Sequence, residues 1–290
     1  MKKIYQIGID LMVDDNNKIY LLENNTNCFL ILPNARHDLN KNDNEIYAIK
    51  RYIQSLLPYF KKNNIKNIQY EKLNPKYIKL FKAWELLGYN LNSNNPDIKI
   101  IYTYNTKTWK LGDKKELENN INIYSGTGIT FISDFGEYDS NSNTPNFLLK
   151  PKNGVAGNGI EMYKQPNKLE KENYVRQKYI KAKQQNYLLE YDGKELIKFD
   201  LGSNRLYDIR SIIYISEDGD IIFTGAYKRV SGFPLPKKLP NGKLSDKDKK
   251  IFLCNTSQQA YRSFMTLEEE MKYKEISIKI GKVLFENYIK

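Results

Sequence analysis

Two short stretches near the N-terminus decide the fold prediction: GIDLMV at residues 8–13 and YLLENN at residues 20–25. Both stretches are rich in branched apolar residues, and a cluster of Asp and Asn at residues 14–17 separates them. Apolar runs that flank such a polar cluster are typical of a β-hairpin. We therefore predict that the two stretches pair as antiparallel strands.

The polar residues of this hairpin indicate a possible cation site. Glu23 and Asn25 are two positions apart, so they project from the same face of a strand. Strand pairing can bring Asp10 beside them. Two carboxylates and an amide carbonyl are hard oxygen ligands, which suit Mg²⁺ that shares its coordination shell with phosphate. The alternative is a hairpin whose acids simply face solvent, and the hairpin alone does not decide between the two.

A glycine-rich turn follows a strand-like run, FLLK, at residues 147–150. It contains Pro151, one further lysine and three glycines. Glycines let backbone N–H groups approach phosphate oxygens, and a lysine adds positive charge. The turn is not a Walker A loop, because no Gly-Lys-Ser/Thr opens a helix after it. The turn is therefore either a phosphate-binding loop or a plain glycine-rich hairpin.

A third polar group lies in LYDIR at residues 206–210 and in GAYKRVS at residues 225–231, with the turn signal Glu-Asp-Gly between them at residues 217–219. Alternation along the first strand places Asp208 and Arg210 on one face, and Arg229 follows on the next strand. Two arginines beside a phosphate site can hold a phosphoryl group or a carboxylate. The alternative is that both arginines only face solvent.

The remaining pattern mixes helices and strands, which predicts an α+β fold. We expect helices over residues 43–60, 75–87, 113–121 and 267–289, and strands over residues 98–104 and 174–180. The Pro-, Gly- and Lys-rich residues 232–250 predict a mobile loop. Residues 252–257, FLCNTS, predict the end of a strand that leads into a polar loop.

Composition limits the classes to which the protein can belong and the kinds of partner that it is expected to bind. No run of about 18 apolar residues is present, and the N-terminus enters a strand pattern directly, so we expect no membrane segment and no signal peptide. The two cysteines indicate a reducing, cytoplasmic setting. The net charge of +12 favours an anionic partner. Because the lysines are scattered, we expect a phosphate-bearing small molecule in preference to a nucleic acid.

Taken together, these motifs resemble the ATP-grasp superfamily, in which ATP lies between two α+β lobes. The resemblance implies that ATP is bound by the lysines and glycines of the turn, by the lysine of Gly112-Asp113-Lys114 and by the strand near residue 180. The residues assigned in this way are Lys114, Lys150, Lys152, Gly154, Gly157, Gly159, Gln177, Tyr179 and Ile180. It further implies that Mg²⁺ is held by Asp10, Glu23 and Asn25.

The order of the motifs differs from the usual one, because the metal strands come first and not last. Joining residue 290 to residue 1 restores the usual order, so we predict a circularly permuted ATP-grasp fold, in an order similar to that of eukaryotic glutathione synthetases. The resemblance implies a substrate-side lobe at residues 26–105 and a central lobe at residues 106–175. It implies a composite lobe, formed by residues 176–290 plus 1–25, that holds the metal.

The activity implied by the resemblance is an ATP-dependent carboxylate–amine ligase that acts through an acyl phosphate. Arg210 and Arg229 would be catalytic, and Asp208 and Asn255 would contact the substrate, an amino acid or peptide. Two alternatives stay open. One is a ligase that modifies peptides or proteins, and the other is a nucleotide- or nucleic-acid-binding protein without ligase activity.

Overall fold

The computed structural model describes residues 1–25, 41–71, 77–101, 130–131, 147–151, 159–163, 174–253 and 260–290. Its strands are, in chain order, β1 (Lys2–Val13), β2 (Ile19–Asn25), β3 (Asn67–Tyr70), β4 (Asn90–Leu91), β5 (Ile98–Ile101), β6 (Thr130–Phe131), β7 (Phe147–Pro151), β8 (Glu161–Tyr163), β9 (Tyr174–Lys178), β10 (Gln184–Tyr191), β11 (Leu196–Ser216), β12 (Ile221–Val230), β13 (Gly242–Lys243) and β14 (Tyr261–Ser263). Its helices are α1 (Lys41–Lys62), α2 (Ile78–Leu86), α3 (Asp246–Phe252) and α4 (Leu267–Leu284), and a π-helical turn, Phe285–Ile289, follows α4.

These strands form two sheets, so the α+β class is confirmed. A curled sheet of ten strands has the order β14-β12-β11-β1-β5-β3-β4. In addition, β10 pairs with β11, β2 pairs with β1, and β6 pairs with β2. A smaller sheet has the order β13-β8-β7-β9. Strands β7 and β8, which flank the glycine-rich turn in sequence, belong to the small sheet, whereas the predicted metal strands belong to the large one.

Strand β1 lies at the centre of the large sheet. It pairs antiparallel with β11 from Ile4 to Leu11, and antiparallel with β2 from Gly8 to Val13, which confirms the predicted hairpin. Its first residues pair in parallel with β5. Strands β2 and β5 therefore pair with the same edge of β1 at different positions along it. Their C-terminal ends approach each other, since β2 ends opposite Gly8 and β5 ends opposite Tyr5.

Each face of the large sheet is covered by different helices, because successive side chains of a strand point to opposite faces. The odd-numbered residues of β1, such as Ile7 and Ile9, pack in one core with Ile280 and Leu284 at the end of α4. On the other face, Ile4 packs in a second core with residues of α1 and α2. The even-numbered residues further along β1 extend this second face towards Asp10.

The two long predicted helices are confirmed. Helix α1 spans Lys41–Lys62 and continues through Pro58. Helix α4 begins at a capping box in which Thr266 accepts from the backbone of Glu269 while the Glu269 side chain accepts from the backbone of Thr266. This reciprocal pair satisfies amide groups that lack partners within the helix.

Two predictions about the segment after β12 are wrong. Residues 232–250 are not one mobile loop, because β13 pairs with β8 and α3 follows it. The end of the predicted strand at Phe252 is instead the end of α3. The Lys- and Gly-rich composition obscures two local signals, the capping box between Ser245 and Asp248 and the burial of Leu244 and Ile251.

The described part of the predicted substrate-side lobe, residues 26–105, does not form a sheet of its own. Strands β3, β4 and β5 join the same sheet as β1. The small sheet includes β9, which extends to Lys178, and also β13 from the later segment. The division into three lobes stays a prediction. None of the described helices has the length and apolar character needed to cross a membrane.

Candidate functional site

Six polar side chains from β1, β2, β11 and β12 meet on one face of the large sheet: Asp10, Glu23, Asn25, Asp208, Arg210 and Arg229. We call them the charged cluster. The strand register brings them together, since Asp10 lies opposite Glu23 on one side and opposite Arg210 on the other, while Asp208 lies opposite Arg229. All six residues were predicted as site residues from the sequence. Their functional roles stay predictions.

Asp10 lies at the centre of the charged cluster and is 1% exposed. Arg210 donates from Nε to Oδ1 and from Nη2 to Oδ2 of Asp10, each at 2.6 Å. Arg229 donates from Nη2 to Oδ2 at 2.9 Å. Fork-shaped pairing of this kind is the strongest form of arginine–carboxylate contact. Both guanidinium groups are therefore positioned by one carboxylate.

Asp208 holds the second arginine from the other side. Its Oδ1 and Oδ2 accept from Nε and Nη2 of Arg229, each at 2.6 Å. Both side chains are buried, with 8% of Asp208 and 6% of Arg229 exposed. Removing one partner of this buried ion pair would leave the other charge buried and uncompensated. Loss of either partner would therefore weaken the contact between β11 and β12.

Asn25 connects the two acids of the hairpin. Its Nδ2 donates to Oδ2 of Asp10 at 3.0 Å and to Oε1 of Glu23 at 3.2 Å. The β1–β2 register shifts between Asp10 and Leu11. A shift of this kind re-aims side chains locally. The structure thus confirms that Asp10, Glu23 and Asn25 lie side by side on one face, as predicted.

The two buried aspartates differ in acidity. Burial by itself would raise the pKa of Asp10, but Arg210 and Arg229 outweigh it and lower that pKa to about 2. Burial raises the pKa of Asp208 to about 6, because Arg229 offsets only part of the desolvation and the charge of Asp10 adds to it. Asp10 is therefore ionised throughout the neutral range, as a metal ligand must be.

The charged cluster fits a divalent cation in charge and in donor type. Three carboxylates face two guanidinium groups, so one negative charge is left when all are ionised. In the described part of the chain, no three His, Cys, Asp or Glu side chains form a ready metal site. A cation here would therefore use Asp10, Glu23 and the amide oxygen of Asn25, which are the oxygen donors that Mg²⁺ prefers.

The predicted phosphate-binding turn is described at its two ends. Lys150 lies half-buried on β7, and Gly159 precedes β8 with a φ of 74°, a conformation that favours glycine. Gln177 lies on β9, next to β7. Four other residues that were predicted to bind ATP lie outside the described residues: Lys114, Lys152, Gly154 and Gly157. So do Asn255, which was predicted to contact the substrate, and the predicted helix at residues 113–121.

Tyr179 and Ile180 connect the two sheets. Ile180 is buried against Tyr20 and Leu22 of β2, the strand that carries Glu23. Tyr179 packs against a separate cluster formed around β8, which includes Met162. The segment near residue 180 that was predicted to bind ATP therefore lies where the small sheet meets the large one.

Two buried polar features were not predicted. Gln6, on the same face of β1 as Asp10, is 1% exposed, and neither amide atom has a hydrogen-bond partner in the described structure. Arg51 of α1 forms an ion pair with the buried Glu270 of α4. A signal for Gln6 is present in the sequence, since it interrupts the apolar run IYQIGI. The Arg51–Glu270 pair joins residues that are 219 positions apart and leaves no local signal.

Comparison with solved structures finds similarity of fold at low sequence identity. A solved structure of a glutathione synthetase like-effector from Globodera pallida, in its apo form, has a TM-score of 0.41 to this chain. The two share 8% sequence identity, and the match covers 82% of this chain and 76% of that one. No family model matches the chain, and no curated protein matches it in sequence. The function proposed below therefore rests on the charged cluster itself.

Proposed function

We propose that the protein is an ATP-dependent carboxylate–amine ligase with a circularly permuted ATP-grasp fold. The observation that carries this proposal is the charged cluster, in which Asp10, Glu23 and Asn25 adjoin Arg210 and Arg229. A cation site next to paired guanidiniums suits the transfer of a phosphoryl group, whose charge needs neutralisation from several sides. The glycine-rich sequence between β7 and β8 supports ATP as the phosphoryl donor.

The position of the two sheets supports the same proposal. Lys150 lies on β7 of the small sheet and Gly159 directly precedes β8, whereas the charged cluster belongs to the large sheet. Tyr179 and Ile180 lie at the junction. A nucleotide held along this junction would have its base near residues 177–180 and its phosphates between the glycine-rich turn and the charged cluster. The implied lobe division at residues 105 and 175 is part of the same proposal.

The proposed reaction has two steps. A carboxylate oxygen of the acid attacks the terminal phosphorus of ATP, the bond from that phosphorus to the bridging oxygen breaks, and ADP leaves. The amine nitrogen then attacks the acyl carbon of the resulting acyl phosphate, the bond to the phosphate oxygen breaks, and the amine loses a proton. Bound Mg²⁺ would supply charge neutralisation at the phosphates.

The protein itself mainly positions the reactants and stabilises negative charge. Asp10, Glu23 and Asn25 would hold Mg²⁺. Arg210 and Arg229 would face the charge that develops on the phosphoryl and acyl oxygens. Asp208 fixes the guanidinium plane of Arg229 through two hydrogen bonds, so its contribution is to orient that arginine.

A screen of ADP release with Mg²⁺, across single amino acids and short peptides, tests the proposal. We expect at least one acid and amine pair to stimulate ADP release. Glu23→Ala should lower that release about 100-fold or more while circular dichroism and the Tm stay close to those of the wild type. Glu85→Ala, at an exposed acid of α2, is the matched control and should change release less than twofold.

The outcomes of this screen separate the alternatives. Full activity of Glu23→Ala would contradict the metal assignment. Stimulation by peptides or proteins but not by free amino acids would identify a peptide-modifying ligase. Absence of ADP release together with salt-sensitive binding of RNA or DNA would instead support a nucleic-acid-binding protein.

A further inference from the structure

The side chain of Gln6 is buried on the face of β1 that also carries Asp10. It is 1% exposed, and neither Nε2 nor Oε1 has a hydrogen-bond partner in the described structure. Burying an amide in this way costs free energy, since both groups give up their bonds to water. An apolar residue would fill the position at lower cost, as Ile4 does two residues earlier. The amide is therefore suited to a partner that the described residues do not supply.

The side chains next to Gln6 fit a ligand better than a single water molecule. A buried water molecule usually makes two to four hydrogen bonds. On this face, Gln6 lies between Ile4 and Gly8 along β1 and opposite Tyr214 of β11. The only polar group on these three side chains is the Tyr214 hydroxyl, which is 2.6 Å from that of Tyr52. A ligand that carries an acceptor beside a donor would satisfy both atoms of the Gln6 amide at once.

The pairing along one edge of β1 is interrupted at Gln6. Strand β5 pairs with β1 as far as Tyr5, and β2 pairs with it as far as Gly8 from the other direction. The carboxyl ends of both strands therefore point towards Gln6 and Ile7. In open sheets covered by helices, ligands bind in the crevice outside the carboxyl ends of the strands. The place of Gln6 in the sheet matches that of a ligand contact.

The row of residues between Gln6 and the charged cluster leaves room for a ligand. Gly8 lies opposite Ile212, and Ile212 lies opposite Gly225, so two of these three positions carry no side chain. A cavity lies at this row and is lined by Ile212, Gly225 and Ala48 of α1, among others. Helix α1 therefore does not fill the space above the row.

An extended peptide has the hydrogen-bonding groups that Gln6 needs. The N–H and C=O of one residue in an extended chain point to the same side, as they do when paired residues of antiparallel strands exchange two bonds. Gln6 Nε2 can donate to that C=O while Oε1 accepts from that N–H. The side chain of Gln6 can therefore take the place of a partner strand.

The distance along β1 sets the length of a peptide that reaches both Gln6 and the charged cluster. Gln6 and Asp10 are four residues apart, which is about 13 Å at roughly 3.3 Å per residue. The side chains at the two ends cover part of this distance. An extended peptide advances about 3.5 Å per residue, so two residues beyond the one held by Gln6 suit the remainder.

We propose that Gln6 is a specificity-determining residue that binds the main chain of an extended peptide, so that the carboxylate substrate of the ligase is a short peptide. Its terminal carboxylate lies towards the charged cluster, and an N–H and C=O of an earlier residue pair with the Gln6 amide. The role in the reaction rests on the proposed function. The contact at Gln6 is a binding property, which can be measured without ATP.

Calorimetric titration of the full chain with two matched peptides tests the contact. The first is N-acetyltriglycine, and the second is its ester analogue, in which an oxygen replaces the first N–H. We expect the wild type to bind N-acetyltriglycine about tenfold more tightly or better, because the ester leaves Oε1 of Gln6 buried without a donor. Equal affinities, within twofold, or no binding of either peptide would overturn the proposal.

The variant Gln6→Met tests which residue is responsible. Methionine keeps the length of the side chain and removes the amide, so the preference for N-acetyltriglycine over the ester should disappear. The Tm should not fall, since no buried hydrogen bond is lost. Weaker binding without lower stability is a combination that a purely structural role does not produce. A preference equal to that of the wild type would overturn the assignment.

Gln69→Met is the matched control, because Gln69 is a half-buried glutamine of β3 outside the site. It should leave both peptide affinities within twofold of the wild type. If Gln6→Met fails to fold, the comparison of the two peptides on the wild type decides by itself.

Adenosine is the third probe, because adenine also presents a donor beside an acceptor. If Gln6→Met weakens the binding of adenosine and leaves that of N-acetyltriglycine unchanged, the base and not a peptide occupies the position, and the proposal is overturned. We expect the opposite, with adenosine affinity unchanged within twofold.

Addition of ATP, Mg²⁺ and amines separates the inference from the function on which it rests. Preferential binding of N-acetyltriglycine without ADP release would keep the peptide contact at Gln6 and overturn the ligase. ADP release with acids that contain no amide, at the same rate in Gln6→Met as in the wild type, would overturn the peptide contact and leave the ligase in place.

Discussion

One face of the large sheet has two regions with opposite character. Near the start of β1, Ile4 lies in a core with Leu56 and Trp84 of the covering helices. Six residues further along, Asp10 lies in the charged cluster. Both positions are buried and both belong to the same strand. The difference is what covers them, since helices bury the first region in apolar contacts and arginines bury the second in ion pairs.

This comparison separates stability from function in the molecule. Apolar burial stabilises the fold without directional chemistry. A buried ion pair contributes little net stability, because desolvation offsets much of the attraction. We therefore expect substitutions in the helix-covered region to change the free energy of unfolding without changing ligand binding. Substitutions in the charged cluster should change ligand binding and turnover, and those that leave a buried partner unpaired should also lower stability. The following variants test that separation, starting with the largest expected effect.

Trp84→Ala should have the largest effect on stability. Trp84 is fully buried, packs its ring 5.2 Å from that of Phe60, and donates from Nε1 to the hydroxyl of Tyr70. Its loss should lower the free energy of unfolding by roughly 3–5 kcal/mol in urea titrations. Mg²⁺ affinity in the folded fraction should stay within twofold. A loss of cation binding in the folded protein would mean that the two regions are not independent.

Tyr52→Phe should have a smaller effect in the same region. The hydroxyls of Tyr52 and Tyr214 are 2.6 Å apart and join α1 to β11. Removing the Tyr52 hydroxyl takes away the partner of a buried group, which costs roughly 1–3 kcal/mol. The double variant Tyr52→Phe/Tyr214→Phe should cost less than the sum of the single variants, as measured by thermal unfolding. Strict additivity would show that the two hydroxyls do not interact.

Gln6→Met tests the boundary between the two regions. Because both amide atoms of Gln6 are buried without partners, an apolar side chain of similar size should raise the free energy of unfolding by roughly 1 kcal/mol. Gln69→Met, at a half-buried position of β3, is the control and should change it less. Higher stability with reduced ADP release would assign Gln6 to the site. Higher stability with unchanged release would assign it to the core.

Asp97→Asn should have the smallest effect, and that effect should depend on pH. Backbone N–H groups of Lys66 and Asn67 donate to Oδ2 of Asp97 and hold the pKa of its carboxyl below 3.8. A lowered folded pKa gives stability that is present above pH 3.8 and is lost as the pH falls through the folded pKa. The variant should therefore be less stable at pH 7, by about 1 kcal/mol or less because solvent screens this partly exposed carboxyl, and equal to the wild type in strong acid.

Chemical denaturation at pH 7, 4 and 2 measures this difference. Glu85→Gln, on the exposed face of α2, is the control and should show no such trend. A difference between Asp97→Asn and the wild type that stays constant down to pH 2 would contradict a role for the ionised carboxyl. Because Asp97 lies at the start of β5, the result concerns the helix-covered region and leaves the charged cluster unaffected.

Local patterns predicted most of the described elements. The hairpin of β1 and β2, helices α1 and α4, and the β11–β12 hairpin follow from period and turn signals that lie within a few residues of each other. The segment after β12 was mispredicted, because its Lys and Gly content resembles that of a loop. Its strand β13 pairs with β8, which lies about 80 residues earlier in the chain, so the structure of this segment depends on a distant partner.

The sequence predicted which residues form the site and which of them share a strand face. It did not predict which of these side chains pair with each other. Strand alternation alone places Glu23 with Asn25 and Asp208 with Arg210. It gives no information on whether Asp10 faces solvent, a cation or an arginine. That choice depends on the register between β1 and β11, which joins residues 200 positions apart. It also depends on burial, which makes an unpaired carboxylate too costly.

The sequence by itself determined the α+β class, the N-terminal hairpin and the set of polar residues on each strand face, because these follow from local period and turn chemistry. Only the tertiary structure decided that both arginines hold Asp10, that Gln6 is buried without a partner, and that the segment around β13 joins the small sheet. These features depend on contacts between distant parts of the chain, whose energies are set by register and by exclusion of water.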